Sequence, residues 1–262
     1  MAKLKHFTVL KIKHFVIFLT IAFLISCKES PKVMTSIDGQ QLIIDSSYAS
    51  IDSIANFITP YHNHVNAVLD STLAYAPFLI AKTDGKYNTT AGNFMADIVL
   101  SQTGPIFKSR TGHTLNFVLL NHGGIRSVIS KGKITAGTAY EVMPFENTVV
   151  IAELKGETIL KMVDYLIKSK RAHPVAGIQI ILNKNNTVHS IKIDGKPLDT
   201  TRNYYVATSD YLINGGDNMD FFSEAISKTE TDYKIRNAMI DYFSKVDTVA
   251  PKVDLRYYQL PE

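Results

Sequence analysis

The chain has 262 residues, 45% of them hydrophobic, with 13 Tyr and 13 Phe, enough apolar mass for a sizeable core, which excludes a disordered protein. The formal charge of +4 shrinks once the N-terminal lysines are set aside, and no basic run or aromatic RNA-binding signature follows them, so nucleic acid is not expected as a partner. A single cysteine excludes an intrachain disulfide.

Lys3, Lys5, Lys11 and Lys13 precede the uncharged run FVIFLTIAFLIS, Phe15 to Ser26, and then Cys27. A run this short falls below the roughly 20 apolar residues that span a bilayer, and it reads as an export signal. Leu24-Ile25-Ser26-Cys27 resembles a bacterial lipobox. That resemblance implies cleavage before Cys27, lipidation of its thiol, and a lipoprotein tethered to the membrane at the cell envelope. The alternative is a core cysteine behind an ordinary signal peptide. The expected organisation is a signal over 1–27, a polar tether over 28–41 and one domain over 42–262.

Ile51, Ile54, Ile58, Val65, Val68 and Leu69 recur at helical spacing, with Pro60 either kinking the helix or opening a second one. Phe94, Met95, Ile98 and Val99 predict a helix over Thr90 to Ser101. Leu115 to Leu120 reads as a strand, Thr135 as the cap of a helix through Val142, and Asn147 to Leu154 as a buried strand leading through Gly156 into a helix from Glu157 to Ile167. Gly177 to Leu182 and Val188 to Ile193 predict a hairpin, Tyr204 to Thr208 a strand, and Asp232 to Val246 a closing helix. Helices and hairpins in one domain predict a mixed α/β (α+β) fold.

The common catalytic signatures are absent: no G-x-x-x-x-G-K-[ST], H-E-x-x-H or G-x-S-x-G occurs. Gly216-Asp217-Asn218-Met219-Asp220 and the pair His62 and His64 invite a metal reading. A dinuclear phosphatase site needs several Asp, His and Asn ligands converging from separate strand ends, and no D-x-H or G-N-H-[DE] accompanies these fragments. They read as a turn and as solvated helix residues. In LLNHGGIRSVI, Leu119 to Ile129, a strand ends on Gly123 and Gly124, which let backbone approach a ligand closely, between the amide of Asn121 and the planar fork of Arg126. That set suits an anionic ligand with a polar ring, and also an ordinary turn with a surface arginine. TSDYLINGGDNMDFF repeats the design with Tyr211, Gly215, Gly216 and Asp217, while VMPFENTVV places Phe145 at the entry to a strand.

NHGGIRSVISKGKITAGTAYEVMPFENTVVIAELKGETIL and IKIDGKPLDTTRNYYVATSDYLINGGDNMDFF resemble the C-terminal domain of the 5′-nucleotidase family, and AGNFMADIV resembles that domain's opening helix. The resemblance implies a mixed-sheet, four-layer α/β/β/α fold that binds substrate, with hydrolysis performed by a separate calcineurin-like domain carrying two metals. By motif, Phe145 and Tyr211 should sandwich the base, Asn121 should hydrogen-bond it, Asp217 should hold the ribose hydroxyls and Arg126 should reach the phosphate. The family usually sets another arginine just before the opening helix, where this chain offers only Lys86 as a point charge. With nothing before Ile51 expected beyond signal and tether, no cofactor is expected on this chain, and divalent metals are expected on a separately encoded metallophosphatase. The alternatives are a stand-alone lipoprotein that binds nucleosides or nucleotides for uptake or sensing, and a relic domain retained as a scaffold.

Overall fold

The computed structural model describes residues 11–21, 34–45 and 47–261. Cys27 and the lipobox lie outside the described residues. Residues 11–21 are helical and 34–45 carry no regular structure, and among the described residues no helix is long and apolar enough to cross a membrane. Contacts divide the chain into Met1–Asp52 and a compact body, Ser53–Glu262.

The helices of the body are α1 (Asp52–Leu69), α2 (Thr90–Thr111), α3 (Ala136–Val142), α4 (Gly156–Ser169), α5 (Asp210–Ile213) and α6 (Ile235–Phe243). Pro60 neither ends nor splits α1, which runs on as a single helix with none of its side chains buried. Helix α2 begins where Thr89 accepts from Gly92 N–H and extends past the expected Ser101, through Gly104 and Pro105, to a left-handed Gly112 at φ 76°. Thr135 caps α3 in a capping box, as the sequence predicts.

The strands are β1 (Thr72–Ala76), β2 (Phe117–Leu119), β3 (Gly132–Thr135), β4 (Thr148–Lys155), β5 (Val175–Ala176), β6 (Ile178–Leu182), β7 (Val188–Ile193), β8 (Lys196–Pro197), β9 (Asn203–Ser209), β10 (Ser227–Lys234) and β11 (Tyr257–Gln259). They form sheets of order β10-β4-β9-β2-β5 and β11-β6-β7-β8, plus the pair β1-β3. The sheets are mixed: β2 runs parallel to β9, while β4 is antiparallel to both β9 and β10.

The expected helix from Asp232 to Val246 is corrected. Ser227 to Lys234 is an edge strand on β4, and the helix starts only at Ile235. Thr229, Thr231 and Tyr233 favour extended backbone, and the open edge of β4 gives their peptide groups partners that a helix turn would have had to replace.

Each face of the five-stranded sheet covers a core. On one side Phe94, Met95 and Ile98 of α2 and Met239 and Phe243 of α6 pack against Val118, Val149, Ile151 and Ala207. On the other, Ile159, Met162, Val163 and Leu166 of α4 join Ile178, Ile180 and Leu182 of β6 against Leu119, Leu154 and Val206. The mixed α/β class expected from the sequence is the class observed.

Candidate functional site

Three loops meet at one edge of the five-stranded sheet, and strand direction explains why. Because β2 and β9 are parallel, their carboxyl ends share an edge, and antiparallel β4 begins there. The loop after β2 carries Asn121 to Arg126, the approach to β4 carries Phe145 to Asn147, and the turn after β9 carries Asp210 to Asp217. Asn121, Gly123, Gly124, Arg126, Phe145, Tyr211 and Asp217 line one cavity of about 600 Å³ there. Phe145 and Tyr211 are 42% and 48% exposed, so both rings are open to a ligand.

Asp217 is the hub. Its carboxylate accepts from the Asn121 amide at 2.7 Å and from the Tyr211 phenol at 3.1 Å, and its carbonyl accepts from the Tyr165 phenol at 2.7 Å. Its backbone is left-handed at φ 53°, a conformation that non-glycine residues adopt at a cost and that recurs at ligand clamps. A carboxylate has about four lone-pair sites, so two acceptor positions remain after these bonds, enough for a pair of vicinal hydroxyls.

The glycines act by leaving room. A Cβ on Gly124 would stand 2.8 Å from Asn121 Oδ1, and one on Gly216 would stand 2.5 Å from the Tyr211 ring. Gly215 turns the chain at φ 89°. Gly215 and Gly216 are not among the residues lining the cavity; Gly216 backs the Tyr211 ring.

Arg126 donates to Gly123 C=O at 3.1 Å, and its guanidinium sits 5.7 Å from the centre of the Phe145 ring. Lys86, expected to supply a second cation, lies elsewhere: its ammonium rests 4.8 Å from the Tyr87 ring, on a different cavity. The cation near Arg126 is Lys82, whose Nζ donates to Ile125 C=O at 2.5 Å. Burial, then the charges of Arg126 and Arg171, push the Lys82 ammonium below its ordinary pKa. Lys82 does not itself line the cavity, but its charge adds to the positive potential at Arg126.

Two supports were not evident from the sequence. Arg236 on α6 is 4% exposed and donates to the carbonyls of Pro144 and Phe145 at 3.3 and 3.2 Å and to the Glu146 carboxylate. Its guanidinium lies 4.1 Å from the Tyr140 ring. The hydrogen bonds from Arg236 and Lys234 hold the Glu146 carboxyl down at about 2. The loop bearing Phe145 is thus clamped from beneath. His173 accepts the His122 N–H at Nδ1 over 3.3 Å, and burial pushes its imidazole down to about 4. Only the neutral ring can accept that bond, so His173 steadies the glycine corner as an uncharged group.

The fragments that invited a metal lie apart in the fold, Asp217 at the cavity and His62 on α1. Asp217 is engaged as described, His62 sits on exposed α1 bonded to Asn66, and among the described residues no three His, Cys, Asp or Glu side chains cluster.

A family model for the 5′-nucleotidase C-terminal domain matches residues 67–224. The chain belongs to the 5′-nucleotidase C-terminal domain family. The matched span contains all three loops of the cavity. The chain is 32% identical over 183 residues to the trifunctional nucleotide phosphoesterase protein YfkN of Bacillus subtilis (strain 168), covering 64% of this chain and 12% of that protein. It is 26% identical to the cell wall protein Lmo0130 of Listeria monocytogenes, covering 58% of this chain and 24% of that one. Among solved structures, the 5′-nucleotidase precursor from Thermus thermophilus superposes with a TM-score of 0.66 at 25% identity, over 80% of this chain and 44% of that one. The chain spans less than half the length of each of these relatives.

Proposed function

We propose that this 5′-nucleotidase C-terminal domain binds a nucleoside or nucleoside 5′-phosphate in the cavity of about 600 Å³. It serves as the substrate-binding half of a 5′-nucleotidase-type phosphohydrolase of nucleotide catabolism. The observation that carries this reading is the convergence on one cavity of two exposed aromatic rings, a half-satisfied carboxylate and an arginine.

Each part matches one part of a nucleotide. The rings of Phe145 and Tyr211 offer faces for a base, and stacking of this kind contributes about 1–3 kcal/mol per base while tolerating different bases. Asp217 can accept from the 2′- and 3′-hydroxyls, with the Asn121 amide beside it for the base. Arg126, with the Lys82 charge nearby, takes the phosphate.

This domain orients the nucleotide, and a separately encoded metallophosphatase supplies the metal-activated water. The phosphatase contacts the phosphate end of the bound nucleotide, while the base stays on Phe145 and Tyr211. Kinship with a cell wall protein and with a precursor supports work outside the cytoplasm, where lipidation of Cys27 would hold the chain at the envelope.

The test is calorimetric titration with adenosine and with AMP, beside a Phe145→Ala variant. Saturable binding of both, tighter for AMP and lost in the variant, is expected. The reading fails if neither ligand gives heat, or if Phe145→Ala binds as tightly as the parent.

A further inference from the structure

A second cavity, of about 440 Å³, opens near the C-terminal end of α4, and its lining is unlike that of the first. Its apolar wall is made by Leu166, Leu182 and Tyr257, each no more than 2% exposed, with the Tyr87 ring 5.0 Å from that of Tyr257. Its remaining lining is Ile167, Asn186 and four cations, Lys86, Lys168, Lys170 and Arg171. No acidic side chain lines it among the described residues.

The cations differ in what they already hold. Lys168 is paired with Asp164 at 2.6 Å, and Lys86 rests on the Tyr87 ring. Lys170 and Arg171 make no ion pair among the described residues. Lys170 follows α4 at φ 52°, a left-handed position that helices usually give to glycine. A strained backbone that holds an unpaired lysine beside an unpaired arginine at the mouth of an apolar cavity leaves an anion as the missing partner.

The apolar wall decides which anion. A nucleotide's ribose would find no carboxylate here, and the one amide in the lining, Asn186, already accepts from the Tyr87 phenol and from Gln259. The volume suits a small organic molecule.

We propose that this cavity is a second ligand site, distinct from the nucleotide cavity, for a small organic acid with an apolar body. The anionic head sits on Lys170 and Arg171, and the acyl or aromatic body lies against Tyr87, Leu166, Leu182 and Tyr257.

The test is calorimetry on the full chain in nonionic detergent, with a detergent-only blank. It uses 1-naphthoate as the aromatic acid, octanoate as the acyl acid and 1-naphthalenemethanol as the uncharged analogue. A Lys170→Glu, Arg171→Glu double variant is titrated in the same detergent, with its melting temperature measured to show that it folds. Saturable binding of at least one acid is expected, weakened tenfold or more in the folded double variant and for the uncharged analogue. The acid that binds more tightly identifies the body as ring or chain. The proposal is overturned if neither acid saturates, if the alcohol binds as tightly as the acids, or if the folded double variant binds undiminished.

Discussion

The amide of Asn121 donates to the carboxylate of Asp217 over 2.7 Å, joining two glycine turns that lie 96 residues apart in sequence. Two loops that could move independently are thereby tied before any ligand arrives, and the Tyr211 phenol on the other carboxylate oxygen adds the aromatic to the same assembly. Preorganisation of this kind reduces the ordering cost of binding.

Gly216→Ala should therefore cost binding more than stability. The new methyl would stand 2.5 Å from the Tyr211 ring, and the ring would have to swing away from the cavity and release Asp217. At least a tenfold loss of adenosine affinity is expected by calorimetry, with little change in melting temperature because Tyr211 is already 48% exposed.

Arg126 should separate the phosphate from the nucleoside. Charge-assisted hydrogen bonds contribute about 1.5–3 kcal/mol, so Arg126→Ala should weaken AMP roughly tenfold to a hundredfold while leaving adenosine unchanged. A parallel loss for adenosine would place Arg126 under the base instead.

Truncating Arg236 should destabilise the fold. Its guanidinium is buried and satisfies the carbonyls of Pro144 and Phe145, so Arg236→Ala leaves those acceptors without a buried donor. A loss of about 2–3 kcal/mol in denaturant unfolding is expected, below the full penalty for a broken buried pair because Glu146 is exposed. Phe145→Ala, on the clamped loop but open to solvent, should change stability little, so the two variants separate support of the site from contact with its ligand.

The pH dependence follows from His173. Its imidazole titrates near 4 in the folded chain against an ordinary 6.5, so between those values the unfolded chain binds the extra proton. Stability should rise with pH across that window and fall on acidification from about 6.5 to 4, by up to about 3 kcal/mol for this group, then level off with respect to it. Glu146 acts lower, since its depressed carboxyl loses its contribution only as pH falls from its ordinary 4.5 through about 2. Melting temperature followed from pH 7 to 4 should flatten in a His173→Gln variant, and an unchanged slope would assign the acid sensitivity to other groups.

Much of the fold was legible where periodicity and caps agreed. Thr135 announced α3, and Val188 to Ile193 was read to the residue. The errors fell where tertiary partners overrode local pattern. Asp232 to Lys234 joined a strand instead of a helix because β4 offered an edge, and α2 ran through Gly104 and Pro105 because its apolar face had a sheet to cover.

The cavity was legible because most of its residues sit on glycine corners directly after strands, where a motif can be read locally, and Phe145 sits at the entry to β4. Its supports were not. Arg236, His173 and Lys82 reach the site from other elements, and nothing in the residues beside them in sequence points there. Lys86 shows the converse, since four residues along a loop were enough to carry a lysine to another cavity.

The pairing of β4 with β9 has a consequence for how the pocket tolerates change. Val149 opposes Ser209 in that ladder, which leaves Phe145 and Tyr211 each a few residues beyond the same rung, so the strand register works as a caliper with an aromatic on each jaw. A slip of one residue would move one jaw about 3.4 Å along the sheet and turn every β4 side chain to the opposite face. Single-residue insertions or deletions within β4 should accordingly do more harm to binding than any one substitution in the loops, although they touch none of the residues that meet the ligand.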